Sequence, residues 1–559
     1  MKKLPYGISD YERLVENDYY YVDKTKYIER LESIAEPYIM FLRPRKFGKT
    51  LFTSTLENYY DIKKVEKFEK LYGNTYIGKN PTKLKNSYYI LKFNFSGIDT
   101  TNGETTIKGF KNEVASSIKL FVEKYGVDFY INIEDEAENI LNNLIKAFNI
   151  QKAKEKIYVI IDEYDHFANE LLGFNTNQFK NLVSKNGKVR KWYEILKKGT
   201  ESVIDRIFIT GVAPITLDSL TSGFNIGSDK TQNDVFNEMM GFTENELKEL
   251  MKEQEISKEE QEEILPIMKE NYDGYRFSLY GKEKMYNSNM CLYFLNNYLE
   301  SKRIPTQLID VNIASDYTKL GKMLDLCKGE EREKVIEKTV SGEGIISEIT
   351  QKFNPAMEFT ETDLVSMLYY LGYLTIAGEV FEKPELKIPN RVMKEIYSDY
   401  FLKILTESAN LRINESDYNE MLREIALEGR IDKIIEMLRE YIKNLSNRDY
   451  IKFDEKYVKL IFFCIAMNLK IFRLKSEMEV QRKYPDILLI PKDKSKGYKG
   501  VMIEFKYLKK GEEGRLKEKQ EEAKKQIEEY KEIDEIKELE NINSYTVVAV
   551  NDEIYVEKV

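Results

Sequence analysis

Short apolar runs alternate with segments of helical periodicity through the first half of the chain. Residues 107–150 show the 3.6-residue spacing of helices. Four apolar runs have the length and composition of buried strands, at residues 38–42, 88–95, 157–161 and 206–211. Strands that alternate with helices form a mostly parallel sheet with helices on both faces. The pattern therefore predicts an α/β fold for this half of the chain.

A different pattern follows in the middle of the chain. Residues 361–371 form an amphipathic helix, strands at 373–376 and 386–389 enclose a polar hairpin, and residues 392–402 are helical again. This order of helix, two-stranded wing and helix is that of a winged-helix element. We expect this element to pack against the preceding domain and favour that role over recognition of DNA. Residues 408–450 form charged helices without visible chemistry.

Two more strands are predicted near the C-terminus, within residues 476–490 and 499–507. A lysine- and glycine-rich hairpin, Pro491–Gly500, connects them. Both strands are too apolar for an exposed hairpin, so we expect them in the core of a sheet. The charged run Lys517–Glu540 has the i,i+4 spacing of a solvated helix face.

Composition narrows the class of protein. The 559 residues suggest roughly four domains, and 42% hydrophobic with 32% charged residues is typical of a soluble globular protein. The net charge of −9 argues against a surface built for nucleic acid. Any contact with a phosphate backbone must come from a local patch such as Pro491–Lys510.

The counts of histidine and cysteine and the hydropathy of the chain exclude further kinds of site and of cellular location. His166 is the only histidine, which removes histidine metal clusters and histidine-based triads from any site not built on it. The three cysteines lack metal-ligand spacing, so we expect buried thiols in a reducing compartment. No signal-peptide pattern occurs at the N-terminus, and the most apolar stretch, Tyr457–Leu469, is too short to cross a bilayer. We expect a cytoplasmic protein without membrane contact.

The first strand runs into a glycine turn with a lysine and a hydroxyl. Gly48, Lys49 and Thr50 open a segment with helical spacing. Backbone N–H groups in such a turn bind nucleotide phosphates. We expect Lys49 to reach the β- and γ-phosphates and the Thr50 hydroxyl to coordinate Mg²⁺. The predicted nucleotide-binding loop comprises Arg45, Lys46, Phe47, Gly48, Lys49, Thr50 and Leu51.

Polar residues follow two further strands at the edge where ligands bind in parallel sheets. Asp162 and Glu163 come directly after the strand at 157–161, and Thr210 ends the strand at 206–211. We expect Asp162 to hold Mg²⁺, Glu163 to activate the attacking water, and Thr210 to contact the γ-phosphate. For Arg276 we favour an exposed position in a turn over a role as a second sensor of the γ-phosphate.

Five motifs, in this order, resemble those of a bacterial AAA-ATPase-like family that carries a C-terminal nuclease-type domain. They are Val22-Asp23-Lys24-Thr25, the loop Arg43-Pro44-Arg45-Lys46-Phe47-Gly48-Lys49-Thr50, Ile161-Asp162-Glu163-Tyr164-Asp165, Thr210-Gly211-Val212-Ala213-Pro214-Ile215 and Tyr272-Asp273-Gly274-Tyr275. The standard phosphate loop has a glycine where this chain has Arg43, and the family shares that arginine. The resemblance implies a P-loop NTPase sheet that binds ATP.

A second chemical centre is predicted on the C-terminal hairpin. Alternation puts Glu504 and Lys506 on one face and Phe505 on the other, and normal pairing brings Asp486 next to Glu504. Two carboxylates and a lysine suit hydrolysis of a phosphodiester with Mg²⁺ or Mn²⁺.

These residues resemble the PD-(D/E)xK nuclease superfamily, with Pro485-Asp486 followed by Glu504-x-Lys506. The resemblance implies metal binding by Asp486 and Glu504, and catalysis by these acids with Lys506. It further implies that Gln526 contacts metal-bound water. Glu477 or Glu479 matches the additional metal-binding glutamate, and we favour Glu477.

Together these features predict four segments: an AAA-like P-loop ATPase core at 1–240, a helical lid at 241–340, a winged-helix-like and helical region at 341–455, and an α/β nuclease-like domain at 456–559.

The predicted function is an ATPase whose nucleotide state regulates a Mg²⁺-dependent DNA nuclease, with ATP and DNA as partners. The alternative is an ATP-dependent switch or assembly scaffold with a weak or inactive nuclease-like domain. A third reading is plain nucleotide hydrolysis with the C-terminal domain used for DNA docking. Assembly into a homo-oligomer stays open.

Overall fold

The chain folds into two compact units. The computed structural model describes residues 2–166, 187–214, 225–310, 320–324, 327, 330–353, 359–409, 414–445, 455–476, 484–509, 511–550 and 553–559. The first unit comprises Met1–Val335 and Gly344–Val392, and the second comprises Ile336–Glu343 and Met393–Val559. The chain passes between the units three times: within the helix Glu330–Val340, between Glu343 and Gly344, and within the helix Arg391–Ala409.

A parallel sheet forms the centre of the first unit. Its strands are β1 (Tyr38–Leu42), β2 (Tyr88–Asn94), β3 (Lys156–Asp162), β4 (Ile204–Gly211) and β5 (Ser228–Asp229). They lie in the order β2-β3-β4-β1-β5, and every neighbouring pair is parallel. The apolar residues 157–161 of β3 are all buried, because helices cover both faces of a parallel sheet. The predicted α/β fold is confirmed.

The first unit contains α-helices before, between and after these strands. Their bounds are Tyr11–Glu16, Lys26–Ser33, Lys49–Tyr60, Phe68–Tyr72, Tyr76–Lys79, Gly103–Tyr125, Ala137–Gln151, Lys188–Gly199, Glu244–Glu253, Lys258–Tyr272, Ser288–Ser301, Leu320–Leu324 and Glu361–Tyr370. Single 3₁₀ turns occur at Ile62–Lys67 and Asp234–Phe236.

The helical stretch predicted at 107–150 is interrupted. Gly126 adopts the left-handed conformation, with φ of 66°, and its N–H bonds the Val122 carbonyl. This glycine ends the first of two helices, and the chain is not helical again until Ala137. Periodicity alone did not reveal the break, because both helices present apolar faces to the same sheet.

A small antiparallel sheet carries the predicted wing. It contains β6 (Ile345–Ile346), β7 (Thr375–Val380) and β8 (Lys383–Lys387), in the order β6-β8-β7. The hairpin is longer than predicted at its turn end, where Phe381 and Glu382 both have positive φ. The winged-helix assignment itself stays a prediction.

Arg276 joins this sheet to the rest of the first unit. Its backbone N–H donates to the Thr375 hydroxyl at 2.7 Å, and its Nε donates to the Ile376 carbonyl at 3.1 Å. Tyr369 adds a hydrogen bond to the Phe277 carbonyl at 2.8 Å. Arg276 is therefore half-buried against the hairpin, and the expectation of an exposed arginine in a turn is wrong.

The second unit is built on a mixed sheet. Its strands are β9 (Phe472–Lys475), β10 (Ile487–Pro491), β11 (Gly500–Leu508), β12 (Ile542–Val550) and β13 (Glu553–Lys558), in the order β13-β12-β11-β10-β9. Only the β11–β12 pair is parallel. The strand predicted from 476 begins at Ile487 instead, and residues 477–483 lie outside the described residues.

Helices cover this second sheet. Phe462 packs edge-on against Phe505 of β11, and Ile527 packs in a cluster with Leu488 and Met502. The α-helices of the unit are Glu415–Arg423, Asp432–Leu445, Glu455–Met467, Leu516–Lys531 and Asp534–Lys537, with a π-helical turn at Glu424–Glu428 and 3₁₀ turns at Lys494–Lys496 and Glu513–Arg515. In the described part of both units, no helix is long and apolar enough to cross a bilayer.

Arg43 is a buried cation that organises the loop after β1. Its guanidinium lies between the rings of Phe41 and Phe277, 4.1 Å from each centroid. It also donates hydrogen bonds to three backbone carbonyls, those of Leu42, Thr231 and Phe236. Burial lowers the pKa of Arg43 to about 9, so the group stays charged at neutral pH. The arginine that replaces the first glycine of the loop therefore ties β1 to the segment after β5.

We predict that Arg43→Leu lowers the free energy of unfolding of the first unit by about 3 to 5 kcal/mol, because buried carbonyls lose their donor. Trp192 is the single tryptophan and packs against Phe93, Phe95 and Phe110, so its fluorescence in a urea titration reports on this unit. The control is Arg13→Leu at an exposed helical position, with an expected change below about 0.5 kcal/mol. Equal effects of the two variants would contradict the prediction.

Candidate functional site

The predicted phosphate loop lines a cavity of about 570 Å³ in the first unit. All seven predicted loop residues, 45–51, contribute to its wall. The N-terminal segment supplies further lining residues, among them Pro5, Ile8 and Tyr21, and the region after β5 supplies Phe242 and Leu292. The cavity therefore combines a loop suited to phosphate with apolar walls suited to a nucleotide base.

Contacts with the rest of the unit fix the shape of this loop. The Lys46 carbonyl accepts hydrogen bonds from the Ser288 hydroxyl at 3.2 Å and the Asn289 N–H at 3.4 Å. The Phe47 carbonyl accepts the Gly241 N–H at 3.1 Å, and the Phe47 ring packs edge-on against Tyr275. Lys46 and Gly48 have φ of 68° and 91°. These protein contacts therefore hold the left-handed turn before the helix Lys49–Tyr60.

Lys49 is buried at the start of that helix. Its Nζ donates to the Arg43 carbonyl at 3.1 Å and the Pro44 carbonyl at 3.2 Å. It also lies 3.6 Å from Oε1 of Glu163. The predicted phosphate-binding lysine and the predicted water-activating glutamate therefore form an ion pair across the site.

Asp162 ends β3 as a fully buried carboxylate. Burial, with a smaller effect of Glu163, raises its pKa, and Thr50 opposes that shift. Neither carboxylate oxygen has a hydrogen-bond partner of normal geometry among the described residues. Two buried, unpartnered oxygens next to Thr50 fit a hard divalent cation, which would supply the missing interactions.

Glu163 has strained backbone geometry and a charged side chain. Its φ is 53°, which is uncommon outside glycine and occurs often at functional sites. Burial raises the pKa of the Glu163 carboxyl, but Lys49, Arg45 and His166 outweigh this effect, and the net shift is downward. Glu163 and His166 both line the cavity.

A buried aspartate holds the end of β4 beside β3. The Asp165 carboxylate accepts the N–H groups of Val212, at 3.0 Å, and Ala213, at 2.7 Å. A Cβ on Gly211 would lie 2.2 Å from Asp165 Oδ1, so the approach requires glycine there. Thr210 precedes it, fully buried, and its hydroxyl has no hydrogen-bond partner within the described part of the chain. Neither Thr210 nor Asp162 is among the described residues that line the cavity, and the predicted contact of Thr210 with phosphate stays a prediction.

Asn94 is a candidate that sequence reasoning missed. It ends β2, pairs in register with Asp162 and lines the cavity. The rule that selected Asp162 and Thr210, a polar residue at the end of a core strand, also applies to Asn94.

The structure brings the second predicted centre together in the second unit. Asp486 lies beside Glu504, with the Asp486 N–H 3.4 Å from Glu504 Oε2. Lys506 Nζ donates to Glu504 Oε1 at 2.9 Å. All three side chains are more than nine-tenths buried. Burial, together with the charge of Asp486, raises the pKa of Glu504 to about 7.

Lys459 is a second lysine in this centre that the sequence did not indicate. It lies on the helix Glu455–Met467, and its Nζ is 2.7 Å from Asp486 Oδ1 and 2.7 Å from Glu455 Oε1. Burial lowers the pKa of Lys459, but the two carboxylates outweigh this effect and raise it. The Lys459 position carried no motif, because the pairing depends on how the helix packs on the sheet.

Two further buried polar atoms of this unit lack hydrogen-bond partners among the described residues, one in the sheet and one on a helix that covers it. Thr546 of β12 pairs in register with Glu504, and its fully buried hydroxyl has no partner among the residues that the structure describes. Gln526, on the helix Leu516–Lys531, has a buried Oε1 that also lacks a hydrogen-bond partner among the described residues. A carboxylate pair with an unpartnered hydroxyl on the neighbouring strand fits a divalent cation and its water ligands, whereas the contact of Gln526 with metal-bound water stays a prediction.

The additional metal-binding glutamate cannot be assigned from position. Glu477 and Glu479 both lie outside the described residues. Within the described ranges, no group of three or more His, Cys, Asp or Glu side chains is arranged to hold a metal. Among the described residues, this centre therefore offers the pair Asp486 and Glu504, and the role of Glu477 stays a prediction.

Two family models match this chain, one in each unit. Residues 5–221 match the family described as "Predicted AAA-ATPase", and residues 453–558 match the PD-(D/E)XK nuclease superfamily. An uncharacterized protein from the vnfD 5′ region of Azotobacter chroococcum mcd 1 is 23% identical over 422 residues, which cover 73% of this chain and 72% of that protein. The structure of the Aeropyrum pernix ORC2 protein in ADPNP–ADP complexes is 10% identical, covers 71% of this chain and 94% of that chain, and has a TM-score of 0.31. This chain therefore carries an AAA-ATPase-like domain over residues 5–221 and a domain of the PD-(D/E)XK nuclease superfamily over residues 453–558.

Proposed function

We propose that this protein hydrolyses ATP and that its nucleotide state regulates Mg²⁺- or Mn²⁺-dependent cleavage of DNA. One observation carries the proposal: each domain has two neighbouring carboxylates and a lysine close to one of them, on or directly beside the strands of its sheet. In the first domain these are Asp162, Glu163 and Lys49, and in the second they are Asp486, Glu504 and Lys506. Regulation is proposed because both centres belong to one chain.

In the first centre, Lys49 exchanges its bonds with loop carbonyls for the β- and γ-phosphates of ATP. Thr50 and Asp162 would hold Mg²⁺, which when bound neutralises charge on the phosphates. Phosphate binding by Lys49 releases Glu163 from its ion pair. Glu163 then orients the attacking water and accepts its proton.

In the second centre, Asp486 and Glu504 would hold the divalent cation, with Glu477 as the predicted further ligand. When bound, this cation would supply activation of the attacking water and neutralisation of charge on the scissile phosphate. Lys506, which is held by its hydrogen bond to Glu504, orients the attacking water. Gln526 forms a hydrogen bond with a water molecule of the same layer. DNA contacts are assigned to the lysine-rich segment before β11.

A second function is favoured by the net charge of −9, which opposes binding of a polyanion. In this alternative, the protein is an ATP-dependent switch or scaffold, and its nuclease-like domain docks a partner or DNA. Light scattering with and without ATP separates a switch that assembles from a simple hydrolase.

We predict that Lys49→Ala lowers ATP affinity by at least about 100-fold, because phosphate loses a buried charged donor. Glu163→Gln is expected to keep ATP affinity within about threefold and to lower turnover by about 10² to 10⁴. Fluorescent-nucleotide titration and phosphate release measure the two effects. The control, Glu201→Gln, changes an exposed residue of the same domain. Wild-type turnover in Glu163→Gln would exclude the role given to Glu163.

We predict that Asp486→Asn and Lys506→Ala each reduce cleavage of labelled linear and supercoiled DNA by at least about 10³, because each removes a group acting in the transition state. Lys558→Ala is the matched control, since Lys558 ends β13 of the same sheet, is exposed and lies outside the Pro491–Lys510 patch. Absence of cleavage in the wild type with Mg²⁺ or Mn²⁺, with ATP hydrolysis intact, would favour the switch instead.

We predict that ATP changes the cleavage rate of the wild type and leaves that of Lys49→Ala unchanged, because that variant cannot bind the nucleotide. The measurement is the same DNA assay at increasing ATP concentration. Identical ATP responses of the two proteins would disprove the regulation while leaving both activities in place.

A further inference from the structure

Asp486 has only one carboxylate oxygen facing away from the strands. Oδ2 accepts the backbone N–H of Phe505 at 2.7 Å, which fixes the carboxylate against β11. Oδ1 lies 2.7 Å from the Lys459 ammonium group. A cation that binds Asp486 through Oδ1 therefore competes with the Lys459 ammonium group for that oxygen.

The same ammonium group has a second acceptor on its own helix. Glu455 lies one turn before Lys459, and its Oε1 is also 2.7 Å from Nζ. The Glu455 side chain is 40% exposed, whereas the Asp486 side chain is 3% exposed. Lys459 thus bridges a buried acid at the sheet and a solvated acid at the helix surface.

We infer that Lys459 is an internal competitor for the metal ion: it occupies the outer oxygen of Asp486 until a divalent cation displaces it, and Glu455 then retains the displaced ammonium group. This inference rests on the proposed function of the Asp486–Glu504 pair. The inference adds that metal binding exchanges the Lys459 ammonium group for the divalent cation at Asp486, while Glu455 keeps the ammonium group bound.

Burial explains why such a competitor is needed. Two neighbouring carboxylates, each less than one-twentieth exposed, cannot both stay charged without compensating positive charge. Lys506 compensates Glu504, and Lys459 compensates Asp486. The exchange keeps the centre close to neutral in both states, while Lys459 sets the metal concentration at which the centre becomes loaded.

The test measures Mn²⁺ binding by electron paramagnetic resonance on the full chain, without nucleotide. The variant Asp486→Ala identifies which part of the binding belongs to this centre. We expect Lys459→Gln and Lys459→Met to bind Mn²⁺ about 10 to 100 times more tightly than the wild type, the range for loss of one hydrogen bond between charged groups. Two variants guard against a folding defect in either one, and thermal unfolding checks both.

Lys456→Gln is the matched control. Lys456 lies on the same helix but pairs with Glu337 and Glu343, so the variant removes the same charge without touching Asp486. Its Mn²⁺ affinity is expected to stay within about twofold of the wild type. Equal tightening in the Lys456 and Lys459 variants would overturn the inference, since a general charge effect would then suffice.

The role of Glu455 is tested in two backgrounds. Glu455→Gln should weaken Mn²⁺ binding by about 10-fold when Lys459 is present, and should have no effect beside Lys459→Gln. An equal loss in both backgrounds would overturn the role given to Glu455.

Failure of this inference is distinguishable from failure of the proposed function. Unchanged or weaker Mn²⁺ binding in the folded Lys459 variants, with binding still lost in Asp486→Ala, overturns the competition alone. Mn²⁺ binding that does not depend on Asp486 overturns the proposed metal site itself.

Discussion

Carboxylates buried on or beside the strands need compensating positive charge, and this constraint shapes both centres. Removing an ion from water costs several kcal/mol unless a partner of opposite charge replaces the solvent. Lys49 meets this need 3.6 Å from Glu163, and Lys506 meets it 2.9 Å from Glu504. Asp162 is the exception, because neither of its oxygens has a hydrogen-bond partner of normal geometry among the described residues. The group without a local partner is the one we expect to recruit a cation from solution.

The loop after β1 illustrates how a departure from a familiar motif is compensated. A glycine gives a phosphate loop its tight turn, and here Arg43 stands in that position with its guanidinium turned into the core. Two aromatic rings and three carbonyls hold it there. Phe47 is held in turn by Tyr275 and Gly241. The loop therefore obtains its shape from packing against later segments of the chain, whereas a glycine-rich loop obtains it from local backbone freedom.

The two domains pair their acids with lysines by different routes. In the first, the lysine and the acids belong to separate motifs, and the parallel sheet brings the strand ends that carry them to one edge. In the second, Lys506 lies two residues from Glu504 on the same strand, but Lys459 comes from a helix packed against the sheet. Loss of Lys506 or Lys459 would leave a buried carboxylate without a compensating charge. Activity and folding are thus coupled at these positions, so variants that neutralise a lysine need a stability measurement beside the functional one.

Local pattern by itself determined the strands β1 to β4, the β10–β11 hairpin and most of the candidate residues, since apolar runs report burial and polar residues at their ends report the ligand-binding edge. It also determined that Asp486 and Glu504 would be neighbours, because the register of a hairpin follows from alternation. The helix break at Gly126, the burial of Arg43 and the attachment of Arg276 to the β7 hairpin were decided only by tertiary structure. So were the hydrogen-bonding states of Thr546 and Lys459. Each of these depends on contacts between residues far apart in the chain, and periodicity carries no information about which remote side chain will fill a given space.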